Sequence, residues 1–214
     1  MEITLVGATG LVGSEVLKQL HSEDKVSKIN VLTRKKINIQ SPKVVNYVID
    51  FDKDEDLKNS IHGDAIICCI GTTKAKTPDV GEYEKIDRDI PIRLAKIGKE
   101  NGIHQYHLIS AIGANKQAKI NYNRIKGEAE EGVLAAGISK TLIYRPGMLI
   151  GKRNESRPGE FIAQKLSFLF DFFMLGSMKK YHSVKAEYLA RKVVENCLSN
   201  KKVLSSEIHY FPFH

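Results

Sequence analysis

The stretch ITLVGATGLVG, residues 3–13, decides the fold of this chain. The apolar residues in Ile3–Val6 predict a short buried strand. The spacing of apolar residues in Leu11–Leu20 predicts an amphipathic helix directly after it. Between the two lies the pattern GxxGxxG, and a strand that runs through such a turn into a helix is typical of a dinucleotide-binding unit.

The three glycines have different tasks in such a unit. Gly7 permits the tight turn, Gly10 lets the backbone approach a pyrophosphate, and Gly13 lets the helix pack closely on the sheet. Free N–H groups and the positive dipole end at the helix N-terminus favour the phosphates. The loop therefore predicts dinucleotide binding. The alternative is a glycine-rich turn that serves packing alone.

Alternating strand and helix patterns continue along the chain. Further strands are predicted at Ile29–Thr33, Val44–Ile49, Ala65–Ile70, Tyr106–Ser110 and Leu142–Arg145, with a late edge strand at Ile208–Phe211. Helices are predicted at Glu82–Glu100, Asn121–Ala136 and Ala186–Leu198. Strands that are apolar on both faces and separated by amphipathic helices predict an α/β fold with a doubly wound parallel sheet.

Composition limits the classes of partner. The chain has 214 residues, 42% of them hydrophobic, and a net charge of +8. Its basic residues are interleaved with acidic ones and it has no Trp, so we expect a solvated basic surface and no nucleic-acid partner. No stretch is long enough for a transmembrane segment.

The cysteines and histidines predict no metal site. Cys68, Cys69 and Cys197 have no ligand spacing, and the adjacent pair points to opposite faces of a strand, so we expect reduced, buried thiols. Reduced thiols and the absence of a basic leader favour a cytoplasmic location. His182, His209 and His214 also lack metal-ligand spacing.

The end of the second strand favours NADP(H) over NAD(H). An NAD-binding protein often has an acidic residue there to bind the ribose 2′-hydroxyl, whereas this chain has the basic triplet that begins at Arg34. A guanidinium can hold a 2′-phosphate with two hydrogen bonds. Asp50 after the third strand can reach the adenine edge, and Gly71 and Thr72 after the fourth let the backbone pass the cofactor. A solvated basic turn is the alternative for Arg34.

Tyr122 and Lys126 form a YxxxK pair on one face of a predicted helix. Lys126 can hold the nicotinamide ribose and lower the pKa of Tyr122, which would then exchange a proton with a substrate oxygen. Two surface residues are the alternative. Ser110, at the end of the fifth strand, either steadies a substrate carbonyl or caps the strand.

With these motifs placed, the sequence resembles the atypical branch of the short-chain dehydrogenase/reductase superfamily. Within that branch it is similar to the Tat-interactive-protein 2 oxidoreductase-like subgroup. The closer resemblance is carried by CCIGTT at 68–73, DRD at 87–89, Tyr122 with KGE at 126–128, YRPG at 144–147 and ESRPGE at 155–160.

The resemblance implies a Rossmann-type fold that binds NADPH through Gly7, Thr9, Gly10, Leu11, Val12 and Arg34. It implies that Tyr122 and Lys126 are the catalytic pair and that Arg145, Pro146 and Gly147 lie beside the nicotinamide. The family commonly has several serines after the fifth strand, whereas this chain has Ser110 followed by alanine and isoleucine. The family also contains cofactor-binding regulators.

The last third of the chain differs in character. Residues 161–174, FIAQKLSFLFDFFM, hold five of the eight phenylalanines. They are too few to span a bilayer. We expect one domain over residues 1–214, in which 151–214 shape a substrate pocket or a subunit contact, and a homodimer is possible. A membrane-surface anchor is the alternative.

The sequence therefore predicts an NADP(H)-dependent oxidoreductase that transfers hydride to or from a carbonyl or alcohol of a small molecule. Tyr122, Lys126 and Ser110 are its candidate catalytic residues. A non-enzymatic NADPH-binding regulator is the first alternative. A sugar-nucleotide epimerase is the second, although epimerases usually need a larger substrate domain than the residues after Gly151 provide.

Overall fold

The strands and helices follow from the predicted alternation. The computed structural model describes residues 1–39, 41–151, 183–199 and 207–210. Its strands are β1 Glu2–Val6, β2 Lys28–Thr33, β3 Val44–Val48, β4 Ala65–Cys68, β5 Gln105–Ile109, β6 Lys140–Arg145, β7 Leu149–Ile150, β8 Val184–Lys185 and β9 Glu207–Tyr210. Its helices are α1 Leu11–Ser22, α2 Asp54–Ser60, α3 Val80–Glu84, α4 Ile90–Glu100, α5 Asn121–Ala135 and α6 Ala186–Leu198, and a π-helical turn at Lys85–Asp89 joins α3 to α4.

Across the described ranges, seven strands form one parallel sheet in the order β3-β2-β1-β4-β5-β6-β9. β1 pairs with β2 on one side and with β4 on the other, so the strand order reverses beside it. Ligands of such sheets bind outside the carboxyl ends of the strands at this reversal. The predicted doubly wound α/β fold is confirmed, and the glycine loop that follows β1 stands at the reversal.

Two apolar cores cover the sheet, one on each face. On β1, Ile3 and Leu5 belong to the core shared with α1 and α6, whereas Val6 belongs to the core shared with α2 and α4. Thr4, also fully buried, donates its hydroxyl to the His62 carbonyl at 2.7 Å. Full burial of one Val, Leu or Ile side chain contributes about 1.5–3 kcal/mol. Both faces of the central strands therefore contribute to stability, which is why these strands are apolar throughout.

The helix predicted at Glu82–Glu100 begins two residues earlier and contains a π-helical turn. Asp79 caps its start, because its Oδ1 accepts a hydrogen bond from the Glu82 N–H at 2.8 Å. The Ile90 N–H bonds to the Lys85 carbonyl, five residues back. Pro91 has no N–H, so it cannot donate to the Asp87 carbonyl as a regular α-helix requires. This defect coincides with the π turn, and π turns often occur at functional sites.

Three short elements were not predicted. Helix α2 has only Leu57 as a large buried apolar residue, so its sequence shows little helical periodicity, although three acidic residues favour its N-terminus. Strands β7 and β8 pair with each other over two residues each, too few for a recognisable pattern. β4 ends at Cys68 rather than at Ile70. β9 lies at the sheet edge as predicted and runs parallel to β6.

Several predictions concern residues outside the described ranges. They include the phenylalanine-rich segment 161–174, the stretch 155–160, His182 and His214. The predicted single domain and the role of 151–214 stay predictions. Among the residues that the structure describes, no helix is both long enough and apolar enough to cross a bilayer.

His107 on β5 is a fully buried histidine. Its Nδ1 lies 2.9 Å from the Tyr144 hydroxyl, and the two rings stack with centroids 6.0 Å apart. Burial, together with Lys140 and His209, lowers the pKa of His107 from 6.5 to about 3. The ring is therefore neutral in the folded protein at neutral pH.

We expect His107 to destabilise the fold on acidification. Because its pKa is lower in the folded protein than in the unfolded chain, unfolding takes up a proton between about pH 6.5 and about pH 3. Its stabilising contribution is complete above this range and falls by up to about 1.4 kcal/mol per pH unit within it. Urea unfolding at about pH 7.5 and about pH 5 should show a smaller loss of stability for His107→Gln than for the wild type. Equal losses would contradict a neutral ring.

Candidate functional site

At the glycine loop, backbone segments approach one another so closely that a residue with a Cβ would not fit. Gly7 has a φ of +85°, and a Cβ on it would lie 2.6 Å from the Cys69 carbonyl carbon at the end of β4. A Cβ on Gly13 would lie 2.1 Å from the Gly7 carbonyl oxygen. The roles predicted for both residues, a tight turn and close helix packing, agree with these distances.

Gly10 differs from the other two glycines. It precedes the first turn of α1, and no side chain caps that turn. The nearest atom to a Cβ on Gly10 would be the Gly7 carbonyl oxygen at 3.3 Å, a tight contact but not a severe clash. Thr9 and Gly10 are exposed. The helix N-terminus is open, and the packing around Gly10 gives little reason for a glycine at this position. Both features fit a phosphate group that approaches from solvent.

The ends of β2 and β3 place the predicted adenine-side residues on the same edge of the sheet. Arg34 directly follows β2 and is exposed. In the part of the chain that the structure describes, its guanidinium has no hydrogen-bond or ion-pair partner. Asp50, two residues after β3, accepts a hydrogen bond from the Asp52 N–H at 3.0 Å, so one of its oxygens shapes the turn into α2.

Lys126 on α5 forms a buried ion pair that sequence reasoning missed. Its Nζ lies 2.7 Å from Oδ1 of Asp87, and the side chains are 8% and 1% exposed. Oδ2 of Asp87 accepts a hydrogen bond from the Thr72 N–H at 2.8 Å. Burial by itself lowers the pKa of Lys126, whereas Asp87, Tyr122 and Cys68 raise it, and the net shift is upward. Asp87 therefore ties the catalytic-type lysine to the segment that follows β4.

Two signals in the sequence could have pointed to Asp87. It is the first residue of the DRD stretch that carried the family resemblance, and Pro91 lies four residues beyond it.

Gly71 also has a new explanation. A Cβ on Gly71 would lie 3.3 Å from Asp87 Oδ1 and 3.5 Å from Lys126 Nζ. A glycine at position 71 leaves space for the Asp87–Lys126 ion pair, whereas the sequence analysis explained the same glycine by space for a cofactor.

Tyr122 lies one turn before Lys126 on α5, as predicted, and is 42% exposed. The prediction that Lys126 lowers the pKa of Tyr122 is correct for that interaction alone, but all the interactions together do not lower this pKa. Enclosure by neighbouring protein raises the pKa of Tyr122, Lys126 lowers it, and Asp87 raises it again. The net shift is upward, mainly because desolvation outweighs the effect of Lys126, and Asp87 adds to it.

Ser110 and Arg145 meet at a second buried carboxylate that the sequence analysis also missed. The Ser110 hydroxyl donates to Oε1 of Glu130, which is 3% exposed. Arg145 Nε donates to the same oxygen at 2.9 Å, and its Nη2 pairs with Oε2. Glu130 lies four residues after Lys126 on α5, and that spacing was its only signal in the sequence. The Ser110 proton is thus committed to Glu130, and the hydroxyl oxygen remains as an acceptor.

Four charged residues hold α5 against the helix that carries Asp87. Arg88 pairs with Glu84 at 3.0 Å and with Glu128 at 3.2 Å. Arg124 pairs with the same two carboxylates, at 3.2 Å and 2.7 Å. Each partly exposed pair contributes little alone, but a closed network with Arg geometry fixes orientation. It stabilises the position of α5, which carries Tyr122 and Lys126.

Comparison with known proteins gives a family and a fold. Residues 7–163 match a family model described as NAD(P)H-binding. The chain is similar to Protein HTATIP2 of Rattus norvegicus, with 32% identity over 167 residues, 76% of this chain and 69% of that protein. It is similar to Protein fmp52, mitochondrial, of Emericella nidulans, with 33% identity over 188 residues, 85% of this chain and 77% of that protein.

A solved structure supports the fold. The Bordetella bronchiseptica enzyme WbmH in complex with NAD⁺ superimposes with a TM-score of 0.73 over 98% of this chain and 75% of that one. At 14% identity this likeness concerns the fold alone.

The predicted cytoplasmic location is wrong as stated, because several fungal relatives are named mitochondrial, which points away from a purely cytoplasmic location.

We expect strong energetic coupling between Asp87 and Lys126. Replacing one partner leaves a buried charge uncompensated, so Lys126→Met should cost about 3–5 kcal/mol of unfolding free energy. The double variant Asp87→Asn with Lys126→Met should recover most of that loss, because no buried charge remains. Urea unfolding of the single and double variants measures the coupling.

The exposed pair Lys116–Glu131, with side chains 52% and 58% exposed, serves as the matched control. There Lys116→Met should cost no more than about 1 kcal/mol. A double variant as unstable as the sum of its two single variants would mean that the pair is not coupled.

Proposed function

The chain belongs to the NAD(P)H-binding family, and on that premise we propose that it is an NADP(H)-dependent oxidoreductase acting on a carbonyl or alcohol of a small molecule. One observation carries the proposal. Tyr122 and the buried Lys126 share a face of α5, and Asp87 ties Lys126 to the end of β4, the strand beside the glycine loop. A proton-exchanging phenol and a fixed cation thus stand at the edge where such folds bind dinucleotides.

The residues of this edge fit an NADP(H) molecule. The uncapped N-terminus of α1 offers N–H groups to a pyrophosphate, and Gly7, Thr9, Gly10, Leu11, Val12 and Gly13 form its cradle. Among the described residues the Arg34 guanidinium has no partner, and no acidic residue adjoins it in sequence, which favours a 2′-phosphate. When bound, the nicotinamide supplies or takes up hydride. Asp50, Gly71, Thr72, Arg145, Pro146 and Gly147 complete the proposed cofactor contacts.

The side chains around the reacting atoms have separate tasks. Tyr122 exchanges a proton with the substrate oxygen. The Lys126 ammonium lies 2.7 Å from Asp87 Oδ1 and carries three N–H donors, and those not directed at Asp87 can hold the nicotinamide ribose. The Ser110 hydroxyl donates a hydrogen bond to Glu130, so it acts toward substrate as an acceptor rather than as a donor to a carbonyl.

The same observation on Ser110 favours a second function. A serine whose proton is engaged by Glu130 cannot polarise a substrate carbonyl, which fits a protein that binds NADPH without catalysis. In that case NADPH would shift the population of a conformation that binds a protein partner. NADPH binding without oxidation of NADPH by any member of a broad carbonyl panel would favour this second function.

Arg34 should select NADPH. Calorimetric titration of the wild type should give tighter binding for NADPH than for NADH. Loss of charge-assisted bonds to the 2′-phosphate should weaken NADPH binding by about 10- to 100-fold in Arg34→Ala, with little change for NADH. Arg191→Ala, at an exposed arginine on α6, is the matched control. An equal loss for both nucleotides in Arg34→Ala would contradict a 2′-phosphate contact.

Tyr122 should be required for turnover and dispensable for cofactor binding. With a carbonyl substrate from the panel, Tyr122→Phe should lower kcat by about 10²- to 10⁴-fold, because general acid catalysis is lost. The NADPH Kd should stay within about twofold, since the phenol hydroxyl does not hold the dinucleotide. Turnover at the wild-type rate in Tyr122→Phe would rule out this role.

A further inference from the structure

The basic triplet after β2 forms a short loop, residues 34–36, that we call the basic loop. Its members Arg34, Lys35 and Lys36 are all exposed. Thr33, directly before the loop, is 8% exposed, and Ile37, directly after it, packs on the core shared with α1. A buried residue thus precedes the basic loop, and a residue anchored on the α1 side of the sheet follows it.

Asn46 on β3 holds both ends of the basic loop. Its Nδ2 donates to the Thr33 hydroxyl at 2.7 Å and to the Val31 carbonyl at 3.0 Å. Its Oδ1 accepts the Ile37 N–H at 3.0 Å. Because a backbone carbonyl can only accept and an N–H can only donate, these partners fix which end of the amide faces which neighbour. One side chain thereby sets the distance between the residue before the basic loop and the residue after it.

We propose that Asn46 is a positioning residue for NADP(H) selectivity, because it holds the basic loop in the shape that receives the 2′-phosphate. This inference rests on the proposed function and deepens it, since it assigns the selectivity to the clamp on the loop as well as to Arg34. Asn46 acts through the basic loop and needs no contact of its own with the nucleotide.

Charge and chain entropy explain why the basic loop needs a clamp. Three adjacent cations repel one another, and an unclamped loop of exposed residues samples many backbone conformations. Charge-assisted hydrogen bonds to a phosphate require a defined geometry. With Asn46 in place, the loop is ordered when the chain folds, so ordering it does not reduce the affinity for the ligand. NADH has a hydroxyl in place of the phosphate, so its affinity should depend little on Asn46.

Calorimetric titration of the full chain with NADPH, NADH and adenosine 2′,5′-bisphosphate tests the inference. The last probe carries the 2′-phosphate but no nicotinamide. In Asn46→Ala the Kd values of NADPH and of adenosine 2′,5′-bisphosphate should rise by about 5- to 15-fold, whereas that of NADH should stay within about twofold. An asparagine that only stabilised the fold would weaken all three ligands alike or none of them, and either result overturns the inference.

Asn101→Ala is the matched control. Asn101, between α4 and β5, also uses its Nδ2 to hold backbone carbonyls, that of Lys58 at 2.9 Å and that of Ile61 at 3.0 Å. It lies at the amino end of β5, whereas the basic loop follows the carboxyl end of β2. Asn101→Ala should leave the ratio of the NADPH and NADH affinities unchanged, and a loss of selectivity equal to that of Asn46→Ala overturns the inference.

A double variant tests whether Asn46 acts through the loop. In the Arg34→Ala background, Asn46→Ala should weaken NADPH binding less than it does in the wild type, because both changes remove the same phosphate contact. Full additivity of the two losses would mean that Asn46 affects binding by another route, which overturns the inference.

The clamp can also be followed without any nucleotide. Hydrogen exchange of the Ile37 amide, measured by NMR, should be faster by about tenfold or more in Asn46→Ala, because the acceptor of its hydrogen bond is lost. Exchange at the wild-type rate in Asn46→Ala overturns the inference. Should Asn46→Ala fail to fold, Asn46→Thr replaces it, since a β-branched side chain suits a strand and is too short to hold both ends of the loop.

Failure of this inference differs from failure of the proposed function. If the wild type binds NADPH and Asn46→Ala keeps its selectivity, the inference falls and the proposed function stands. If the wild type binds neither NADPH nor NADH, the proposed function falls, and the selectivity assigned to Asn46 falls with it.

Discussion

The close approach of three backbone segments at the glycine loop constrains the rest of the molecule. Gly7 passes against the end of β4 at Cys69, and Gly13 in α1 passes against Gly7. The first contact sets the distance between β1 and β4 at the place where the strand order reverses. The second presses α1 onto the sheet and orients its uncapped N-terminus along the same edge. The glycine loop, Arg34 and Ser110 then follow the carboxyl ends of parallel strands.

Helix α5 is the second organising element, because it carries a titratable stripe with a period of four residues. Tyr122, Lys126 and Glu130 lie one turn apart, and the last two are buried. Burying a charge is costly unless a partner compensates it. Asp87 compensates Lys126 from the π turn, and Arg145 compensates Glu130 from the end of β6. The two ion pairs therefore connect α5 to β6 and to the neighbouring helix. Hydrogen bonds from the Thr72 N–H to Asp87 and from Ser110 to Glu130 extend the connection to the segments that follow β4 and β5.

These pairs change how the site is understood. A lysine beside a tyrosine suggests an activated phenolate, and a serine beside them suggests a donor to a carbonyl. In the folded protein both groups already have carboxylate partners, so the lysine is paired with Asp87 and the serine remains an acceptor. The Gly71 position gains a reason of its own, since a side chain there would press on the Asp87–Lys126 pair. The chemistry of the site depends on residues that carry no catalytic motif themselves.

The sequence by itself determined the alternation of strands and helices, the parallel sheet and the place of the glycine loop. Those features depend on local periodicity and on backbone requirements that only glycine meets. It also placed Arg34 and Ser110 at one edge, because strand ends of a parallel sheet meet there, and it placed Tyr122 and Lys126 on one face of a helix. It could not give α2 or the β7–β8 pair, which are too short or too polar to leave a pattern. Only the tertiary structure decided which charges meet. Asp87 and Lys126 are far apart in sequence, as are Ser110 and Glu130, and the sign of the pKa shift of Tyr122 depends on distances and burial that no spacing along the chain encodes.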